Sequence, residues 1–302
     1  MTAPLVLGAD CGGTTTRVVL STLDGRIVGQ GRALAGNPVA TDPAEAAAAL
    51  AAAGRAALGG TDPARVVGAV VGLAGVARLA DPQVAAVYAE QWTGLGLTCP
   101  MRPVGDAVVA FAAGTTAASG TVLIAGTGAV AAEVRDGTVG RIADGLGWLL
   151  GDEGSGFWIG LAAAKLTARA LYRAPPAGAL AGALCERLDT TDPDAFVTGI
   201  YQLGRDHVAA LAPLVTRAAR DGDPAAAGLL DTAADRLTDT LLSLPPGPGP
   251  VVLAGGVLLG VPEIRDAVQE RLRRRLGRSG TLAGDGAAGA ARIAARHVTA
   301  QM

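Results

Sequence analysis

Leu5-Val6-Leu7-Gly8-Ala9-Asp10-Cys11-Gly12-Gly13-Thr14-Thr15-Thr16 is an apolar strand that runs into a carboxylate, two glycines and three threonines, and Val18-Val19-Leu20 follows as a second strand. Glycines lack a Cβ, so their backbone N–H groups can close on a phosphate, and threonine hydroxyls add donors. Gly12, Gly13 and Thr14 are therefore candidate phosphate contacts. Asp10, at the strand's end, is placed to hold Mg²⁺ through water, because Mg²⁺ is usually bound by one or two carboxylates plus phosphates. By itself such a hairpin serves equally well as a plain turn.

The rest of the chain echoes it. Val122-Leu123-Ile124-Ala125-Gly126-Thr127-Gly128 is again an apolar strand turning on glycines and a threonine, with Ala129 to Val134 as its hairpin partner. Each hairpin then meets an Asp-Gly reversal, Asp24-Gly25 and Asp136-Gly137, the local signal for a tight strand turn. A third apolar strand, Val251 to Ala254, ends on Gly255-Gly256, a turn bare enough to admit a flat adenine. Two like units over a hundred residues apart point to a duplicated lobe with phosphate loops facing one cleft.

Competing nucleotide motifs are missing. There is no G-x-x-x-x-G-K-[ST] loop, the first turn does not give G-x-G-x-x-G, and the only lysine, Lys165, lies far from a glycine loop. At 302 residues the chain exceeds one typical core, so two lobes are expected. Half the residues are apolar but aromatics are only 3%, which leaves Ala, Val and Leu to build the core. A net charge of −2, scattered along the chain, argues against nucleic acid as a partner. The one basic run, Arg271 with Arg273 to Arg275, reads as a solvated helix face. Cys11, Cys99 and Cys185 offer no pairing framework, which suits a reducing cytoplasm. The first residues do not read as a signal peptide, and the uncharged run Ala107 to Ala132 is broken by glycines and threonines, so no membrane span is expected.

Strands at about 4–9, 15–21 and 26–32 form a meander, and Asp42-Pro43 opens an alanine-rich helix. Val66 to Leu73 is a continuous apolar strand of the kind buried on both faces. The second half repeats the meander from near Thr121, turns helical over about 155–243 with loops at Pro175-Pro176 and Asp221 to Pro224, and reaches its last core strand through LPPGPGP. This order of strands and helices gives α/β.

Asp106 follows a strand and a glycine at a helix start. Capping that helix is one use for it. Between two phosphate loops it is also placed to accept a hydroxyl's proton while a phosphoryl group transfers in line. The block Asp144-Gly145-Leu146-Gly147-Trp148-Leu149-Leu150-Gly151-Asp152-Glu153-Gly154-Ser155-Gly156-Phe157-Trp158 gathers glycines, three carboxylates and two tryptophans. Such a set suits a polyol, with carboxylates accepting from hydroxyls and an aromatic face shielding a ring; a loop capped by Asp152 is the plain alternative. Asn37, in Gly36-Asn37-Pro38, is either a turn residue or an amide for sugar hydroxyls.

Together GADCGGTTTR, GNP, GLAG, GDA, IAGTGA, GWLLGDEGSGFWIG and LAGGV, in this order over nearly the whole chain, resemble the N-acetylglucosamine kinase and BadF-type ATPase branch of the actin/hexokinase-like superfamily. The resemblance implies two ribonuclease-H-like (actin-like ATPase) lobes, 1–114 and 115–285, with an interlobe cleft. The second lobe is enlarged by helices, and a closing helix in about 286–302 packs back on the first. It implies ATP with Mg²⁺ and an amino sugar as ligands, Asp106 as the base for the 6-hydroxyl, and sugar contacts from Asn37, Asp106, Gly145 and Asp152. Asp10, Gly12, Gly13, Thr14, Gly126, Thr127, Gly128, Gly255 and Gly256 would surround nucleotide and metal, and a homodimer is expected. One departure matters: relatives commonly carry Gly-Gly-Trp-Gly-Pro before the GDEGS block, where this chain has Asp144 to Trp148. Asp144, Asp152 and Glu153 would then make the sugar side acidic and favour a free 2-ammonium, since one opposite charge near 4 Å is worth roughly 1–4 kcal/mol. The expected activity is accordingly glucosamine 6-phosphorylation. N-acetylglucosamine kinase, a non-catalytic sugar-sensing regulator and a dehydratase-activating BadF-type ATPase are the alternatives; the last is expected to need cysteine ligands for an iron–sulfur cluster.

Overall fold

The computed structural model describes residues 3–39, 41–173 and 178–301; the Pro175-Pro176 loop lies outside the described residues. The chain opens with the expected meander: β1 (Leu5–Cys11), β2 (Thr16–Thr22) and β3 (Ile27–Ala33). Helix α1 (Pro43–Leu58) follows, with Asp42 accepting from Ala44 N at 2.8 Å. Strand β4 (Val66–Leu73), helix α2 (Pro82–Thr93), strand β5 (Met101–Gly105) and helix α3 (Asp106–Gly114) complete the first half. The meander recurs as β6 (Ser119–Ala125), β7 (Ala129–Arg135) and β8 (Thr138–Asp144). Six helices come next: α4 (Gly156–Leu171), α5 (Ala179–Leu188), α6 (Pro193–Gln202), α7 (Arg205–Ala209), α8 (Ala212–Arg220) and α9 (Pro224–Leu242). The chain ends with β9 (Val251–Ala254), α10 (Gly256–Gly260), α11 (Pro262–Leu276), β10 (Thr281–Leu282) and α12 (Gly286–Thr299).

Two five-stranded sheets result, ordered β3-β2-β1-β4-β5 and β8-β7-β6-β9-β10. Numbered within each sheet, both read 3-2-1-4-5, so the duplication inferred from two glycine hairpins is a duplication of topology. In each, the first strand pairs antiparallel with the second and parallel with the fourth. The carboxyl ends of the parallel strands therefore share one edge, where open α/β sheets bind their ligands.

Two helices join the sheets. Val109 of α3 packs with Val6 and Val70 of the first sheet, whereas Ala107 and Phe111 pack with Val122 and Val252 of the second. Full burial of a side chain such as Phe111 stabilises by about 1.5–3 kcal/mol. Helix α12 leaves β10 of the second sheet and lies across the first, with Ala287, Ala290, Ala291 and Ala294 buried against it. Gly8 permits that approach: a Cβ there would lie 2.1 Å from Ala291 N and 2.2 Å from Ala287 O. Arg271, in the run expected to be a solvated face, instead bonds Asp235 at 2.6 Å and Asp231 at 2.8 Å, tying α11 to α9.

Candidate active site

The parallel register aligns Cys11 with Leu73 and Leu73 with Gly105. Asp10 and Asp106 thus emerge at one edge of the first sheet. Asp106 is the first residue of α3, with Gly105 in the capping place, and its Oδ1 accepts from Ala107 N at 2.9 Å. Burial pushes its carboxyl above the usual range. Asp10 stands opposite Arg17 across the β1–β2 pair. Its pKa is pushed up to about 7, first by burial, then by the Asp106 and Asp285 carboxylates, with Arg17 opposing.

Asp285 was missed in the sequence. It caps α12, Oδ1 accepting from Ala287 N at 2.8 Å and Ala288 N at 3.2 Å. The next residue, Gly286, abuts Asp10, since a Cβ on it would lie 2.3 Å from Asp10 Oδ2. Gly284-Asp285 and Gly105-Asp106 are the same pattern, Gly-Asp opening a helix, and that repetition was the available signal.

The glycine loops gather at the same place. Gly12 N donates to Thr15 O at 3.0 Å, closing the first turn, with Gly12 and Gly13 half-buried and Thr14 exposed. Gly126 N donates to Gly128 O at 2.8 Å. The first turn of α4 fastens this second loop, Gly156 N donating to Gly126 O at 2.8 Å and Phe157 N to Thr127 O at 3.2 Å. Gly255, at φ +90°, rides directly over Ala125: a Cβ would lie 2.3 Å from Ala125 O, and a Cβ on Gly126 would lie 3.8 Å from Gly256 N. The second and third loops are therefore neighbours. Ala283 N donates to Leu253 O at 2.8 Å, which brings the chain from the third loop's strand to Asp285 beside Asp10.

The carboxylate block behaves differently from expectation. Both oxygens of Asp144 are engaged by backbone, Oδ1 by Asp152 N at 2.7 Å and Oδ2 by Glu153 N at 2.8 Å. Buried Asp152 accepts from Ala129 N at 3.0 Å and faces Arg205 at 3.4 Å. Burial raises its pKa, with the Ala129 bond and Arg205 opposing. Glu153 pairs with Arg236 at 3.5 Å. Each of the three carboxylates that were to make the sugar side acidic thus has a positive or donor partner. Gly145 N donates to Ala129 O at 3.1 Å, so Gly145 and Asp152 both fasten the second glycine loop. The cap of α4 is Ser155, and Trp158 belongs to that helix, leaving Trp148 as the loop's aromatic, 5.4 Å from the Phe157 ring.

Asn37 forms a turn, its Oδ1 accepting from Val39 N at 2.7 Å. Tyr88 fixes this loop by donating to Gly36 O at 2.9 Å. A Cβ on Gly75 would lie 3.5 Å from Asn37 Oδ1, so the Asn37 loop and the end of β4 form one wall.

Among the described residues no group of three or more His, Cys, Asp or Glu converges to hold a metal unaided. Asp10 nevertheless fits Mg²⁺: it is a hard oxygen donor, half-buried, and crowded by two further carboxylates. A cation held there would relieve that crowding.

Known proteins match this geometry and sequence. An N-acetyl-D-glucosamine kinase of Dictyostelium discoideum is 30% identical over 179 residues, 58% of this chain and 55% of that protein, so the match spans about half of the relative's length. An N-acetylmuramic acid/N-acetylglucosamine kinase of Clostridium acetobutylicum is 27% identical over 77% of this chain and 76% of its own. A crystal structure from Chromobacterium violaceum, of a candidate N-acetylglucosamine kinase, superimposes with a TM-score of 0.79 at 28% identity, covering 96% of this chain and 98% of that one. The family model described as the BadF/BadG/BcrA/BcrD ATPase family matches residues 7–294, nearly the whole two-sheet fold with its glycine loops, and the chain belongs to that family.

Proposed function

We propose that this protein transfers the γ-phosphoryl group of ATP to the 6-hydroxyl of an amino sugar, N-acetylglucosamine, with Asp106 accepting the hydroxyl's proton. The observation that carries this reading is the placement of Asp106: a half-buried carboxylate whose pKa desolvation raises, at the edge where Asp10 and the glycine loops lie. A base serves best when its pKa approaches the working pH, and burial moves Asp106 in that direction. Gly12, Gly13, Thr14, Gly126, Thr127, Gly128, Gly255 and Gly256 take the nucleotide, and Asn37 and Gly145 face the sugar. Asp152 holds the second loop beneath it. Asp10 would hold Mg²⁺ through water, where the cation would neutralise phosphate charge. In this reading residues 1–114 with the closing helix form one lobe, 115–285 the other, and the protein works as a homodimer in the cytoplasm. No helix among the described residues is long and apolar enough to cross a membrane.

The acetylated sugar replaces the glucosamine expected from sequence. The case for a free amine rested on unpaired carboxylates, and Asp144, Asp152 and Glu153 are all partnered. The relatives' names point the same way. A dehydratase-activating role fits less well: Cys11, Cys99 and Cys185 are each buried in hydrophobic cores, Cys185 in a different one from the other two.

A coupled ADP-release assay over glucose, glucosamine, mannosamine and N-acetylglucosamine tests the reading. N-acetylglucosamine is expected to give the highest kcat/KM, and Asp106→Asn to lose on the order of 10²–10⁴ in turnover while still binding sugar. Binding without turnover on every sugar overturns the kinase reading in favour of a sensor, and normal turnover in Asp106→Asn removes that residue from the chemistry.

A further inference from the structure

Helices α4, α6 and α7, with the loop before α4, enclose a groove of about 560 Å³. Phe157, Leu161, Phe196, Ile200 and Tyr201 form its walls, with Trp148 at one end. That volume is in the range of small-molecule sites, about 300–1,000 Å³, and walls of this kind with few polar groups are typical of them. The polar exceptions have one sign. Lys165, the chain's only lysine, and Arg205 both line the groove, and no Asp or Glu does so among the described residues. Among the described residues Arg205 is incompletely satisfied: its Nε is buried without a partner, and its one ion pair, to Asp152, is long at 3.4 Å. A buried donor left unpaired is costly, so the guanidinium gains by turning toward an anionic partner.

We infer that this groove binds an anionic amphiphile, a molecule with an apolar body and one carboxylate or sulfonate, whose acid group meets Arg205 and Lys165. Occupancy is transmitted inward along a short path. Arg205 faces Asp152, Asp152 holds Ala129 N, and a Cβ on Gly128 would lie 2.8 Å from Asp152 Oδ1. A ligand that draws the guanidinium toward the groove weakens the clamp on the 126–129 loop. The site is therefore an effector site that adjoins the cleft through Arg205 and Asp152, and it does not depend on which sugar the cleft takes.

Fluorescence titration of the full chain with anilinonaphthalene sulfonate, followed by displacement with decanoate or decanol, tests this. One saturable site is expected, emptied by decanoate and not by decanol. Arg205→Gln and Lys165→Gln should each weaken decanoate about tenfold, and Val197→Trp, which fills the groove, should abolish binding. Amide exchange at residues 126–129 should quicken when decanoate is bound, a readout independent of turnover. Displacement by decanol as effective as by decanoate overturns the anionic requirement. Unchanged affinity in Lys165→Gln, an exposed position that folding does not depend on, overturns the site. Concentration-dependent self-association that Val197→Trp disrupts shows a second copy of the chain in the groove and overturns the proposal equally.

Discussion

Asp10 carries a heavy electrostatic burden in the cleft. Its carboxyl is held at about 7, whereas an unfolded aspartate titrates near 3.8. Between those values the folded state keeps a proton that the unfolded state has lost, so stability falls as pH rises from about 4 through 7. Asp10→Asn removes the ionisation, so the variant is expected to gain thermal stability relative to the parent on going from pH 6 to pH 8 without divalent metal. A Tm difference that stays constant across that window contradicts the assignment. The Asp106 carboxyl is raised by burial, with the backbone N–H of Ala107 opposing.

At the scale of elements, β8 ends in a residue whose work is structural. Asp144 sits at φ +60° and accepts the N–H groups of Asp152 and Glu153, folding the loop between β8 and α4 into one piece. Hydrogen bonds to a charged acceptor contribute about 1.5–3 kcal/mol each. In Asp144→Asn one acceptor becomes a donor pointed at an N–H. That variant is expected to raise KM for glucosamine and N-acetylglucosamine by similar factors and to lower Tm; a loss confined to glucosamine would restore the acidic pocket. The elements themselves were legible in the sequence because their punctuation is local: Asp42-Pro43, the Asp-Gly reversals, and the uninterrupted Val66 to Leu73. The two-residue strand β10 has too little pattern to be seen. Asp144 was misread, and Arg205 and Asp285 overlooked, because their partners lie 8 to more than 200 positions away. Residue type announces a charge, but only the fold says what already neutralises it.

At the scale of the molecule, the two sheets are joined by α3 and α12, and α12 reaches the first sheet only because position 8 has no side chain. Valine there would drive its Cβ into α12 backbone, where overpacking typically costs 1–3 kcal/mol and more when backbone must move. Gly8→Val is expected to lower Tm and to open the chain to proteolysis near residues 282–286. Unchanged melting and protease resistance would mean that the helix accommodates the extra methyls by sliding.

The same helix has a consequence for biosynthesis. Val6, Val19 and Val70 are translated early, yet the alanines that cover them lie beyond residue 286. During elongation at about 5–20 residues per second the first sheet waits many seconds with only α3 to cover that face. The nascent opening half is therefore expected to expose apolar surface until the last turns of polypeptide emerge.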